Sequence, residues 1–134
     1  MTVEWNGDAI LAKVRAAAMT GVVRGTEAIV EEADSLMNET PRTGRTYSRN
    51  GRTHVASSPG NPPAPDTGNL RQRLRTDYDT TELTGTAIAS TEYAEHLEFG
   101  TSKMAPRPFM RPALVNKREE IEKDIAEEVR SALK

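Results

Sequence analysis

Apolar residues recur at a helical period along the first forty positions. Ile10, Val14, Ala17, Ala18, Val22, Ile29, Ala33, Leu36 and Met37 fall on one stripe of a single long helix. Asp8 is the expected cap. Pro41 disfavours helical geometry at Thr40, so the helix should end between Asn38 and Thr40. Gly21 and Gly25 interrupt the stripe four residues apart. Each costs about 1 kcal/mol relative to alanine, so either another backbone comes close there or the helix kinks.

Periodicity then disappears. Residues 41–69 are rich in Pro, Gly, Ser, Thr, Asn and Arg, with Tyr47 and Val55 the only large apolar side chains. The pattern predicts a long loop, and a loop of this length inside a domain is functional or disordered. Contact with other subunits is the expected source of its order. Asp66-Thr67-Gly68-Asn69-Leu70 reads as a turn. Beyond it Leu70, Gln72, Leu74 and Thr76 alternate with Arg71, Arg73 and Arg75, which predicts a strand with an arginine face in preference to a short helix. Residues 83–90 are small and β-branched and predict a second strand. The polar connection Asp79-Thr80-Thr81-Glu82 makes the two an antiparallel hairpin.

A short amphipathic turn from Tyr93 to Phe99 stops at Gly100. Pro106, Pro108 and Pro112 stiffen the next segment before any partner arrives, which lowers the ordering cost of docking. If that segment is extended, Arg107, Phe109 and Arg111 project to one side and Met110 to the other. Phe109 reads as a core plug or an interface anchor, and Glu98 as a holder of an arginine from its own or a neighbouring chain. Proline suits the first helical position, so a closing helix should open at Pro112. Leu114, Arg118, Ile121, Ile125, Val129 and Ala132 follow its period. The expected class is α+β: a long N-terminal helix, an arginine-rich loop, a small antiparallel sheet, the connector and a C-terminal helix. The length of 134 residues fits one domain, 1–134.

Composition narrows the function. The 36% apolar content and six aromatic residues allow only a thin core, which fits a chain stabilised by neighbouring subunits. There are no cysteines, hence no disulfides or thiolate metal sites. No apolar run reaches the roughly 18 residues of a membrane span, and no secretory signal is visible, so a cytoplasmic protein is expected. Catalytic motifs are missing: no GxSxG, no Walker loop, no GxGxxG. Glu92 and His96 alone make a weak metal pair, and His54 and His96 read as solvated or subunit-contacting. No metal, cofactor or catalytic residue is expected.

The net charge of −2 hides a strong separation. Residues 1–40 carry seven acids against three bases, and residues 41–76 seven arginines against Asp66 alone. Arg42, Arg45, Arg49 and Arg52 form a basic arm suited to phosphate contact without sequence reading. The alternative is pairing with acids of an adjacent subunit, such as Glu31, Glu32 and Asp34.

Three stretches together carry a resemblance: Thr40-Pro41-Arg42-Thr43-Gly44-Arg45; Ala56-Ser57-Ser58-Pro59-Gly60 with Pro63-Ala64-Pro65-Asp66-Thr67-Gly68-Asn69-Leu70; and Tyr93-Ala94, Glu98-Phe99-Gly100-Thr101 and Pro108-Phe109-Met110-Arg111-Pro112-Ala113-Leu114. Residues 40 to 115 resemble the HK97 gp10-like family of tailed-phage neck and tail-completion proteins. The resemblance implies a non-catalytic virion protein, assembled in the host cytoplasm and placed at the head-to-tail interface. It implies a homo-oligomeric ring, sixfold in the family, stacked on adjacent connector and tail-tube proteins with genomic DNA passing through the lumen. A tail terminator ring is one alternative, and a sequence-independent DNA-binding module another. On this reading Tyr93, Glu98, Phe99, Gly100, Thr101, Arg107, Pro108, Phe109, Arg111 and Pro112 belong to the subunit interface. Arg42, Arg45, Arg49 and Arg52 then face DNA or a neighbouring subunit.

Overall fold

The computed structural model describes residues 1–66 and 68–134, apart from the side chain of Arg49. Its elements run α1 (Gly7–Glu39), β1 (Thr46–Arg49), β2 (Arg52–Val55), α2 (Asn69–Gln72), β3 (Leu74–Asp79), β4 (Thr84–Ala89), α3 (Ala94–Phe99) and α4 (Met110–Ala132). This is the α+β layout that the periodicities predict.

Helix α1 is unbroken through both glycines. A Cβ on Gly21 would lie 2.9 Å from the Ile125 Cα, and one on Gly25 would lie 2.7 Å from the Ile121 Cγ2. Close approach therefore explains the glycines, and the approaching helix is α4 of the same chain. Pairings at Gly21 with Ile125, Gly25 with Ile121 and Glu32 with Lys117 run in opposite chain directions, so α1 and α4 are antiparallel. Arg24 and Glu128 form a further ion pair along this seam. The expected cap at Asp8 is not observed: Asn6 occupies the N-cap without a side-chain hydrogen bond, and Asp8 lies in the first turn, where its charge favours the helix dipole.

The β3–β4 hairpin pairs from Leu74 with Ala89 to Asp79 with Thr84. It lies on the middle of α1, where Gly85 leaves room for Thr26 and Val22. The arginine face expected on β3 is reduced to Arg75, because the chain first makes one helical turn, α2, which takes up Arg71. The strand expected from Leu70 begins only at Leu74; Asn69–Gln72 are helical.

Residues 41–69 are not a structureless loop. They contain a second antiparallel hairpin, with Thr46 opposite Val55 and Arg49 opposite Arg52. Its two-residue turn, Asn50-Gly51, has φ of 51° and 75°. Positive φ at both positions marks the turn whose twist matches the flanking strands, and Asn-Gly is its favoured sequence.

The core lies at one end of the helix pair. Ala33, Met37, Leu70, Ala94, Phe109 and Ala113 are buried there, with Ile29, Leu36, Leu74, Ala89, Leu97 and Met110 packed around them. Phe109 and Met37 are its only large side chains below 2% exposure among the described residues. At the opposite end Ile10 and Leu11 are 50% and 56% exposed. The apolar stripe of α1 is therefore longer than the elements that cover it. The stripe expected on α4 holds at Ile121 and Ile125, which face α1, and departs at its start, where Ala113 is buried and Leu114 is 48% exposed.

Candidate functional site

The connector is built around one carboxylate. Helix α4 begins at Met110, two residues before the expected Pro112, and its N-cap Phe109 offers no side-chain cap. The orphan N–H groups of the first turn are satisfied from outside the helix. The Phe109 and Met110 amides donate to Glu98 Oε2 at 2.9 and 3.0 Å, and the Arg111 amide donates to Glu98 Oε1 at 2.8 Å. Glu98 thereby locks α3 to the start of α4, and among the described residues of its own chain it forms no ion pair with an arginine. A carboxylate at this position also favours the positive end of the helix dipole.

The backbone between α3 and α4 is tied just as closely. Gly100 ends α3 at φ 76°, and a Cβ there would lie 2.8 Å from the Met104 carbonyl oxygen. Thr101 and Met104 exchange backbone hydrogen bonds of 2.8 and 3.3 Å. The Arg107 amide donates to the Leu97 carbonyl at 2.6 Å, and the Gly60 amide donates to the Pro106 carbonyl at 2.9 Å. Arg107 Nε reaches the Ser57 carbonyl at 3.3 Å. The arginine-bearing segment is thus stapled to the connector of its own chain.

The candidate interface residues divide into two groups. Phe109 is fully buried in its own subunit, and Pro108 and Pro112 are half-buried beside it. Arg111 is exposed, so Phe109 and Arg111 do not share a face; the chain has already turned helical between them. Phe99 is 71% exposed and Tyr93 is 40% exposed, and Thr101 is exposed beside them. The Tyr93 hydroxyl accepts from Asn69 Nδ2 at 3.3 Å. Phe99, Arg111, Leu114 and Val115, at or near the start of α4, are exposed among the described residues.

The basic arm is divided in the same way. Arg42 donates to the Pro65 carbonyl at 2.9 Å and lies 3.5 Å from His54 Nδ1. Arg45 and Arg52 are exposed. The side chain of Arg49 lies outside the described residues. His54 is not solvated: it is 6% exposed, with Asp66 Oδ1 3.6 Å from Nδ1 and the Tyr47 ring edge-on at a 5.1 Å centroid distance. His96 and Glu92 are both exposed. Two of the acids expected to meet a neighbour's arginines have partners within the chain. Asp34 takes Arg71 at 2.5 and 3.0 Å, and this bond holds the Arg71 guanidinium above its ordinary pKa. Glu32 accepts from Asn116 and faces Lys117.

Between the β1–β2 hairpin, the proline segment and the connector lies a cavity of about 900 Å³. Met37, Leu70 and Leu97 supply its apolar lining, and Arg52, Arg71 and Arg107 its cations. Ser57 also lines it; it is 1% exposed, and its Oγ has no hydrogen-bond partner among the described residues. Sequence reading missed this cavity because its walls come from four separate segments. The one available signal was Asn50-Gly51, which announces the hairpin.

Comparison of the chain with protein-family models, with curated proteins and with solved structures finds no match. No described helix is long and apolar enough to cross a membrane. Among the described residues, no group of three or more His, Cys, Asp or Glu side chains is placed to hold a metal ion.

Proposed function

We propose that this chain is a structural subunit of a tailed-phage virion. It forms a homo-oligomeric ring at the head-to-tail interface, as a neck or tail-completion protein, and does no chemistry. The observation that carries the proposal is uncovered apolar surface at both ends of a thin-cored subunit. Trp5, Ile10 and Leu11 stand at one end, and Phe99, Leu114 and Val115 at the other, all between 48% and 86% exposed. Patches of this kind mark sites of protein association. The resemblance of residues 40 to 115 supplies the setting, and the rigid connector supplies a surface that needs little ordering on docking.

Light scattering and negative-stain microscopy of the purified protein test this reading. A ring of defined symmetry is the expected result, and Arg111→Ala should weaken it while leaving the helical signal unchanged. A protein that stays monomeric up to hundreds of micromolar, alone and with tail-tube protein, overturns it.

A second reading rests on Arg45 and Arg52, which are exposed and have no ion pair among the described residues. As a sequence-independent DNA contact they would give binding that weakens steeply with salt. An anisotropy titration with no binding at low salt removes this alternative.

A further inference from the structure

We infer that the cavity beside the β1–β2 hairpin receives the segment Met1–Asn6 of a neighbouring copy, with Trp5 in its apolar part and Glu4 against its guanidinium groups. The inference deepens the oligomeric reading above and rests on it.

Three observations lead to it. First, Val3 and Trp5 are 84% and 86% exposed on a segment without secondary structure, so large apolar side chains stand with no cover of their own. Second, charge and polarity match. The first twelve residues hold Glu4 and Asp8 and no base. The cavity presents Arg52 and Arg107, with Arg71 already paired to Asp34 and Asp66 facing His54, and its accessible apolar wall comes from Tyr47, Ala64, Tyr93 and Leu97. The volume of about 900 Å³ is that of a site for several groups rather than one side chain. The buried Ser57 Oγ adds a polar group still without a partner. Third, the segment cannot reach its own cavity. Met37 lies thirty residues beyond Gly7 on one unbroken helix, about 45 Å away at 1.5 Å per residue. Six extended residues span about 20 Å. The occupant therefore comes from another copy.

A contact between opposite ends of identical subunits is heterologous. Repeated, it closes into a ring or runs on as a filament, depending on the rotation per step.

The chain has no cysteine, which makes cross-linking clean. Val3→Cys protein, which keeps Trp5 and Glu4, is mixed with Tyr47→Cys protein and oxidised; Val3→Cys mixed with Thr80→Cys serves as control. Both wild-type side chains at the proposed contact are exposed, so the variants should fold. A disulfide-linked dimer in the first mixture and none in the control is expected. Glu4→Arg and Arg52→Glu should each raise the concentration for half-assembly at least tenfold, and together restore it.

Rings that form without the cross-link and ignore both charge reversals overturn this inference and leave the ring reading intact. A wild-type protein that never assembles overturns both. Arg52→Glu that loses DNA binding with assembly unchanged also overturns it, assigning the cavity's cations to nucleic acid.

Discussion

Removing the Glu98 carboxylate tests the central claim about the connector, that one side chain fixes the start of α4. Three amides lose their acceptor in Glu98→Ala. Loss of a helix cap costs about 0.5–2 kcal/mol, and loss of the charge at the helix N-terminus adds about 0.3–1 kcal/mol. The Phe109 and Met110 amides are part-buried, so water replaces the acceptor incompletely and the sum should fall near 2–3 kcal/mol. Glu98→Gln keeps one acceptor oxygen and loses the charge; about 1 kcal/mol is expected. For a chain of 134 residues the unfolding entropy is about 280 cal/mol/K, so 1 kcal/mol moves Tm by about 3.5 °C. Thermal unfolding followed by circular dichroism should then show Glu98→Ala about 7–10 °C below wild type and Glu98→Gln about 3–4 °C below. Glu95→Ala, on the exposed side of the same short helix, should change Tm by less than about 2 °C. Glu98→Ala melting within 1 °C of wild type, or no lower than Glu95→Ala, would refute the capping argument.

Other substitutions separate packing from surface. Phe109→Ala empties the largest fully buried site and should cost about 3–5 kcal/mol, read as an unfolding midpoint in urea; any assembly defect it shows is then a folding defect. Gly21→Ala meets the Ile125 backbone, whereas Gly25→Ala meets only the Ile121 side chain, so the first should destabilise more, by about 1–2 kcal/mol beyond the second. Gly51→Ala forces a side chain to φ 75° and should lose about 1 kcal/mol, visible as faster amide exchange confined to residues 46–55. Asp34→Asn weakens a half-exposed ion pair with Arg71 and should lower Tm slightly, an effect that shrinks in high salt.

What the sequence determined by itself is what local periodicity encodes. The end of α1 just before Pro41, the β3–β4 pairing and the stop at Gly100 follow from side-chain period, proline sterics and glycine conformation, each acting within a few residues. Asn50-Gly51 was equally local, but the arginines around it left no apolar alternation to draw attention to the strands. Tertiary structure decided the rest. Gly21 and Gly25 needed a partner helix before their role was defined, since a missing Cβ does not say what fills its place. Glu98 and Phe109 are eleven positions apart, and only the fold brings that carboxylate to those amides. Phe109 and Arg111 are two apart in sequence, yet one is buried and the other exposed because α4 starts between them. The cavity, finally, exists only where hairpin, prolines and connector meet, so its charge and shape belong to the folded chain and to no single segment of it.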